Sequence, residues 1–174
     1  IVVEMLQQGG AALMEVLARL FTDILDPASV PPEQWKRTKF LILFKKGNQH
    51  DPGNYRPIAL LSILYKVFSK VVCNRIRWVL DASQPVDQAG FRPGFGCDDH
   101  LLTVVTLIEK CREFELPLWV AAVDFQKAFD TVEHGSIWKA MSDMRVPQAY
   151  IKTFAKLCQH QRGRIVTGIA ANLL

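Results

Sequence analysis

The chain has 174 residues, 49% of them hydrophobic, and a formal net charge of +4 at pH 7. That length fits one domain or one and a fraction, and the apolar content excludes a disordered chain. No apolar run approaches the roughly 18 residues needed to span a membrane.

The start, Ile1-Val2-Val3-Glu4-Met5, shows neither a basic n-region nor a small-residue cleavage site. It also lacks an initiator Met, as expected of a piece of something longer. Cys73, Cys97, Cys111 and Cys158 are scattered without a C-x-x-C pair. They predict reduced thiols with no disulfide partner and an intracellular setting, cytoplasm or nucleus. Between Trp35 and Arg77 lie ten basic residues and one acid, Asp51, a local charge of +9 that leaves −5 elsewhere. Such a concentration fits a polyanionic partner or, equally, a well-solvated surface.

In chain order, Leu13, Val16, Leu17, Leu20, Phe21 and Ile24 recur at helical spacing and predict a helix over residues 11–25. Asp26-Pro27 ends it. Residues 31–35 are a proline-rich approach with one helical turn. Residues 38–44 and 55–60 read as two strands joined by turn chemistry, with Pro57 marking the second as an edge or irregular strand. Ser62 caps a long helix to about residue 80, with Lys66, Lys70, Arg75 and Arg77 beside its apolar face. A glycine- and proline-rich loop spans 85–96. Asp98 or Asp99 caps a helix to about residue 114. Residues 118–123 form a continuous apolar run, expected as a fully buried strand that delivers Asp124 at its tip. Helices over 133–144 and 147–160 follow, with Pro147 in a first turn, and a strand over 163–169. The mixture predicts an α+β fold.

A carboxylate on the tip of a rigid strand suits a metal ligand; the plain alternative is a helix N-cap or solvated strand end. Asp130, six residues on, is expected to cap the following helix. Four segments then combine: the basic hairpin, Asn54-Tyr55-Arg56-Pro57-Ile58-Ala59-Leu60-Leu61-Ser62, Gln88-Ala89-Gly90-Phe91-Arg92-Pro93-Gly94, and Asp124-Phe125-Gln126-Lys127-Ala128-Phe129-Asp130. In this order and at these separations they resemble the reverse transcriptase domain of non-LTR (LINE-like) retrotransposons, from about residue 30 to at least 166.

The resemblance implies part of a right-handed polymerase fold, with helical fingers, a basic β-hairpin and an incomplete palm sheet. It divides the chain into an N-terminal helical segment (1–29), a fingers-like region (30–117) and a partial palm (118–174). The implied activity is RNA-directed DNA polymerisation with Mg²⁺ or Mn²⁺, on an RNA template with a DNA primer and dNTP. Asp124 and the backbone carbonyl of Phe125 would be metal ligands. Arg56, with Lys45 or Lys46, would meet the triphosphate. Phe129 would lie beneath the incoming sugar and exclude a 2′-hydroxyl, unless it is an ordinary core phenylalanine. Arg92 would hold template phosphate. Lys66 and Lys70 would also reach template, unless they only solvate their helix. The family's aromatic-x-Asp-Asp hairpin has no counterpart, since the acids after Asp124 are Asp130, Glu133 and Asp143. A chain with one such carboxylate is expected to be inactive alone. The alternative is a degenerate, non-catalytic nucleic-acid-binding remnant. Unpaired palm edges would make either form marginal or aggregation-prone.

Overall fold

A computed structural model describes residues 3–166. Helices α1 (Val3–Gln8) and α2 (Gly10–Leu25) precede a single 3₁₀ turn, Glu33–Lys36. Strand β1 (Arg37–Phe44) and strand β2 (Tyr55–Leu60) form the expected hairpin, paired antiparallel from Lys39 opposite Leu60 to Phe44 opposite Tyr55. Helix α3 (Ile63–Ser83) and helix α4 (Cys97–Glu113) flank the glycine-rich loop. A four-residue helix α5 (Ala128–Thr131), helix α6 (His134–Asp143), helix α7 (Gln148–Cys158) and strand β3 (Arg162–Val166) complete the described chain. The sheet order is β2-β1-β3, with β3 parallel to β1. Pro57 therefore lies on an edge strand, where its missing N–H costs no ladder bond. The last residues of the strand expected over 163–169 fall outside the described residues.

The core is helical. Leu17, Phe21 and Ile24 of α2 meet Phe68, Val72, Ile76 and Val79 of α3, with Trp35, Val146, Ile151 and Leu157 closing the cluster. These positions recur every three or four residues, the stripe that an amphipathic helix buries. Phe68 is fully buried, its ring centroid 5.4 Å from that of Phe21 and 5.2 Å from that of Trp35. The 3₁₀ turn thus sets a tryptophan into the core immediately before β1, and so fixes where the hairpin leaves the helices. Lys156 of α7 donates its ammonium to the carbonyls of Pro27 and Ser29, tying the loop after α2 to the far end of the chain.

Three expectations are corrected. Residues 118–123 are neither a paired strand nor buried: Trp119 is 93% exposed and Val123 75%. An apolar run becomes a buried strand only when neighbouring strands take up its N–H and C=O groups and helices cover its faces. Among the described residues nothing pairs with it, so the expected palm sheet is not formed. Asp130 caps nothing; it lies inside α5, and Glu133 holds the N-cap position of α6. Helix α4 begins at Cys97, with neither Asp98 nor Asp99 as its N-cap. Asp99 instead reaches back from the first turn and accepts the Gly96 N–H at 2.8 Å, the return half of a capping box.

Candidate nucleotide and nucleic-acid interface

The hairpin loop is held by its own side chains. Asp51 accepts the Gly53 N–H at 2.8 Å, Asn48 the His50 N–H at 2.9 Å, and the Asn54 amide donates to the Asn48 carbonyl at 3.0 Å. The Tyr55 hydroxyl donates to the Gln49 carbonyl at 2.8 Å, and the Lys45 N–H closes the loop on the Asn54 carbonyl at 2.8 Å. Gly47 has φ +95°, a conformation that L side chains rarely adopt. This bracing gives the two arms of the hairpin a fixed relation. Arg56 stands opposite Leu43, and Lys45, Lys46, Arg56, Leu43 and Phe44 line one hollow of about 320 Å³. All three expected triphosphate contacts therefore converge. Each is exposed and carries no ion-pair partner among the described residues.

Arg92 has a different environment. One guanidinium nitrogen donates at 3.0 Å to both the Pro85 and the Gln88 carbonyl. Its Nε lies 3.9 Å from Asp81, and its charge rests 4.6 Å above the Phe95 ring. With a side chain only 15% exposed, it clasps the glycine-rich loop against α3 rather than presenting its fork to solvent. Template contact by Arg92 is therefore in conflict with this geometry. Lys66 and Lys70 are exposed one helical turn apart on α3.

The Asp124 segment meets that loop through an aromatic contact. Phe129 and Phe91 stack edge to face, centroids 5.7 Å apart. Both rings are otherwise exposed, at 82% and 94%, so Phe129 is not a core phenylalanine. Lys127 adopts the left-handed conformation, φ 52°, and turns the chain from the extended run into α5. Asp124 is exposed, and among the described residues no group of three or more His, Cys, Asp or Glu could hold a metal ion. Since hard divalent cations require several oxygen ligands, one carboxylate and a carbonyl do not by themselves fit such an ion. Cations that sequence reading did not single out are gathered by β3, which places Arg162 and Arg164 beside Arg37 and Lys39. The signal was the alternation Arg-x-Arg, which puts both side chains on one face of a strand.

The described residues thus hold a braced basic hairpin and, in a separate stretch of chain, an exposed carboxylate segment carrying an edge-to-face aromatic pair. The chain belongs to the reverse transcriptase (RNA-dependent DNA polymerase) family, whose profile matches residues 44–169. Its relatives are polymerases of non-LTR retrotransposons. It is 30% identical over 141 residues to the RNA-directed DNA polymerase from mobile element jockey of Drosophila melanogaster, covering 79% of this chain and 15% of that protein. To the probable RNA-directed DNA polymerase from transposon BS of the same fly it is 30% identical over 109 residues, 61% of this chain and 12% of that protein. To the Pol polyprotein of the type-1 retrotransposable element R2 of Popillia japonica it is 27% identical over 117 residues, 67% of this chain and 16% of that protein. The chain thus spans no more than 16% of the length of these three relatives. Among the described residues, no helix is long and apolar enough to cross a membrane.

Proposed function

We propose that this chain supplies the nucleotide-facing part of an RNA-directed DNA polymerase, with residues 30–117 acting as fingers and 118–174 as the first part of the palm. The observation that carries it is the convergence of Lys45, Lys46 and Arg56 on one hollow. The Arg56 fork suits two phosphate oxygens of an incoming dNTP, and the lysines add compact charge. Phe129 lies beneath the sugar and disfavours a 2′-hydroxyl, with Phe91 setting its ring. Asp124 and the Phe125 carbonyl would hold one side of a Mg²⁺ or Mn²⁺ ion, whose chemistry there would be to offset phosphate charge, and the remaining ligands would have to come from outside these residues. The chain alone lacks the ligands to hold that ion, and RNA template and DNA primer are partners of the whole polymerase. Lys66 and Lys70 approach template phosphate, while Arg92 acts by shaping its loop.

Two measurements test this reading. The chain should bind a dNTP in the presence of Mg²⁺, and Arg56→Gln should weaken binding about tenfold, in line with a charge-assisted hydrogen-bonding contact of roughly 1.5 kcal/mol. Absence of dNTP binding overturns the reading. Primer extension on poly(rA)/oligo(dT) with Mg²⁺ should give no incorporation by the chain alone, and robust incorporation would refute the dependence on further carboxylates. A second reading, a non-catalytic nucleic-acid-binding remnant, is favoured by the exposed cations of the sheet. It requires RNA binding indifferent to Asp124→Ala without dNTP binding.

A further inference from the structure

We propose that the end of the sheet bearing Arg37, Lys39, Arg162 and Arg164 is a second, separate phosphate site, which takes the phosphodiester backbone of a nucleic-acid strand. The parallel register sets Arg37 opposite Arg162 and Lys39 opposite Arg164. Residues two apart on a strand share a face, so all four cations project from the same side of the sheet. Like charges placed directly across a sheet are destabilising, and here two such pairs are stacked in succession. No acid occurs in β1, β2 or β3 to relieve them. Among the described residues the one ion pair made by these four cations, Arg37 to Glu33 at 3.8 Å, joins side chains that are 66% and 60% exposed, so solvent weakens it. Lys39, Arg162 and Arg164 have no ion-pair partner among the described residues.

With Thr38 and Gly163, the four cations line a hollow of about 530 Å³. A row of guanidinium forks and an ammonium that the fold itself leaves unneutralised suits a ligand with anions repeated along its length. Arg56, opposite Leu43, lies on the same face, six residues beyond Arg37 and four beyond Lys39 along β1, about 20 Å and about 13 Å respectively. The two basic hollows share no lining residue, and a ligand that touched both would have to extend along the strand. The proposal rests on the reading above only in that the chain engages nucleic acid.

Fluorescence anisotropy of a short single-stranded RNA, and of the matching DNA, with the full chain from about 50 to 200 mM salt tests it. Arg162→Gln with Arg164→Gln should weaken binding about tenfold and reduce the slope of log K against log salt by about 1.4, the release expected for two phosphates of a single strand. Arg37→Gln with Lys39→Gln should do the same from the neighbouring strand, which protects the test if either pair perturbs folding. Arg162→Lys with Arg164→Lys should retain the slope, because charge is kept. Unchanged slopes in both Gln pairs overturn the second site alone, provided the wild-type chain binds RNA. Polyglutamate competing as well as RNA would also overturn it, in favour of an acidic protein partner. Loss of dNTP binding is read separately, through Arg56, and bears on the polymerase reading instead.

Discussion

Arg92→Ala removes two charge-assisted hydrogen bonds to carbonyls and the contact with Asp81 from a side chain that is largely sheltered. Such bonds contribute about 1.5–3 kcal/mol each at most, and the pair shares one nitrogen, so a loss of about 2 kcal/mol is expected in urea unfolding. The loop over 85–96 should at the same time become a preferred site of limited proteolysis. Lys should not restore it, since an ammonium lacks the planar fork. Burial raises the Cys158 thiol above its ordinary value of 9.0, and burial followed by the nearby Cys158 raises the Tyr65 hydroxyl above 10.0. In each case the folded chain retains a proton that the unfolded chain has already lost. Stability is therefore complete below pH 9.0 and falls as pH rises through that value and the higher folded-state one. The urea midpoint, measured from neutral pH upward, should show this decline, and in Cys158→Ala the decline should begin only where Tyr65 ionises. Neither the Arg92 clasp nor the Cys158–Tyr65 proximity was legible in the sequence, because both depend on which loop folds back on which helix.

The helices and the hairpin were legible for a physical reason. The helices show an apolar period near 3.6 and β1 a β-rich apolar run, both properties of the local chain, and the turn between β1 and β2 is specified by Asn48, Asp51, Gly53 and Asn54 themselves. The run over 118–123 was not, since apolar composition states a preference for burial but does not supply a neighbour. Strand β3 is an intermediate case: its residues suggested a strand, while its parallel partner, 125 residues earlier from Arg162 to Arg37, could not be read. That pairing depends on Gly163, because a Cβ there would collide with the Phe40 ring. Gly163→Ala should push Phe40 aside and destabilise the chain by about 1–3 kcal/mol, as overpacking does. Hydrogen exchange should report the loss in β1 and β3 while β2, held only by the hairpin, changes less. Equal loss of protection in α3 would show instead that the sheet and helical core unfold as one unit.

Taken as a whole, the molecule joins a well-packed helical core to a poorly covered remainder. Trp119, Val120, Val123 and Phe125 are 93%, 70%, 75% and 76% exposed in one short segment, and Leu101, Leu102 and Leu107 of α4 are exposed at half their surface or more. Apolar surface gathered in this way promotes association. Sedimentation should show concentration-dependent self-association of the isolated chain, reduced by Trp119→Lys combined with Val123→Lys. A monomer at all concentrations would count against this. The candidate site was legible as a set of residues, through four motifs in order; its arrangement was not, since the convergence of Lys45, Lys46 and Arg56 depends on the register of β1 against β2.

The parallel pairing of β1 with β3 also carries a timetable. On a ribosome the hairpin can close as soon as residue 60 is released, but Arg37–Leu41 must wait for Arg162–Val166 before its second edge is satisfied. At about 5–20 residues per second this interval is on the order of ten seconds. Throughout it, a row of open backbone donors and acceptors on β1 stands beside unneutralised arginine and lysine. Those cations repel another copy of the same edge, so the charge that suits the sheet for nucleic acid also guards the nascent chain against pairing with its neighbours on a polysome.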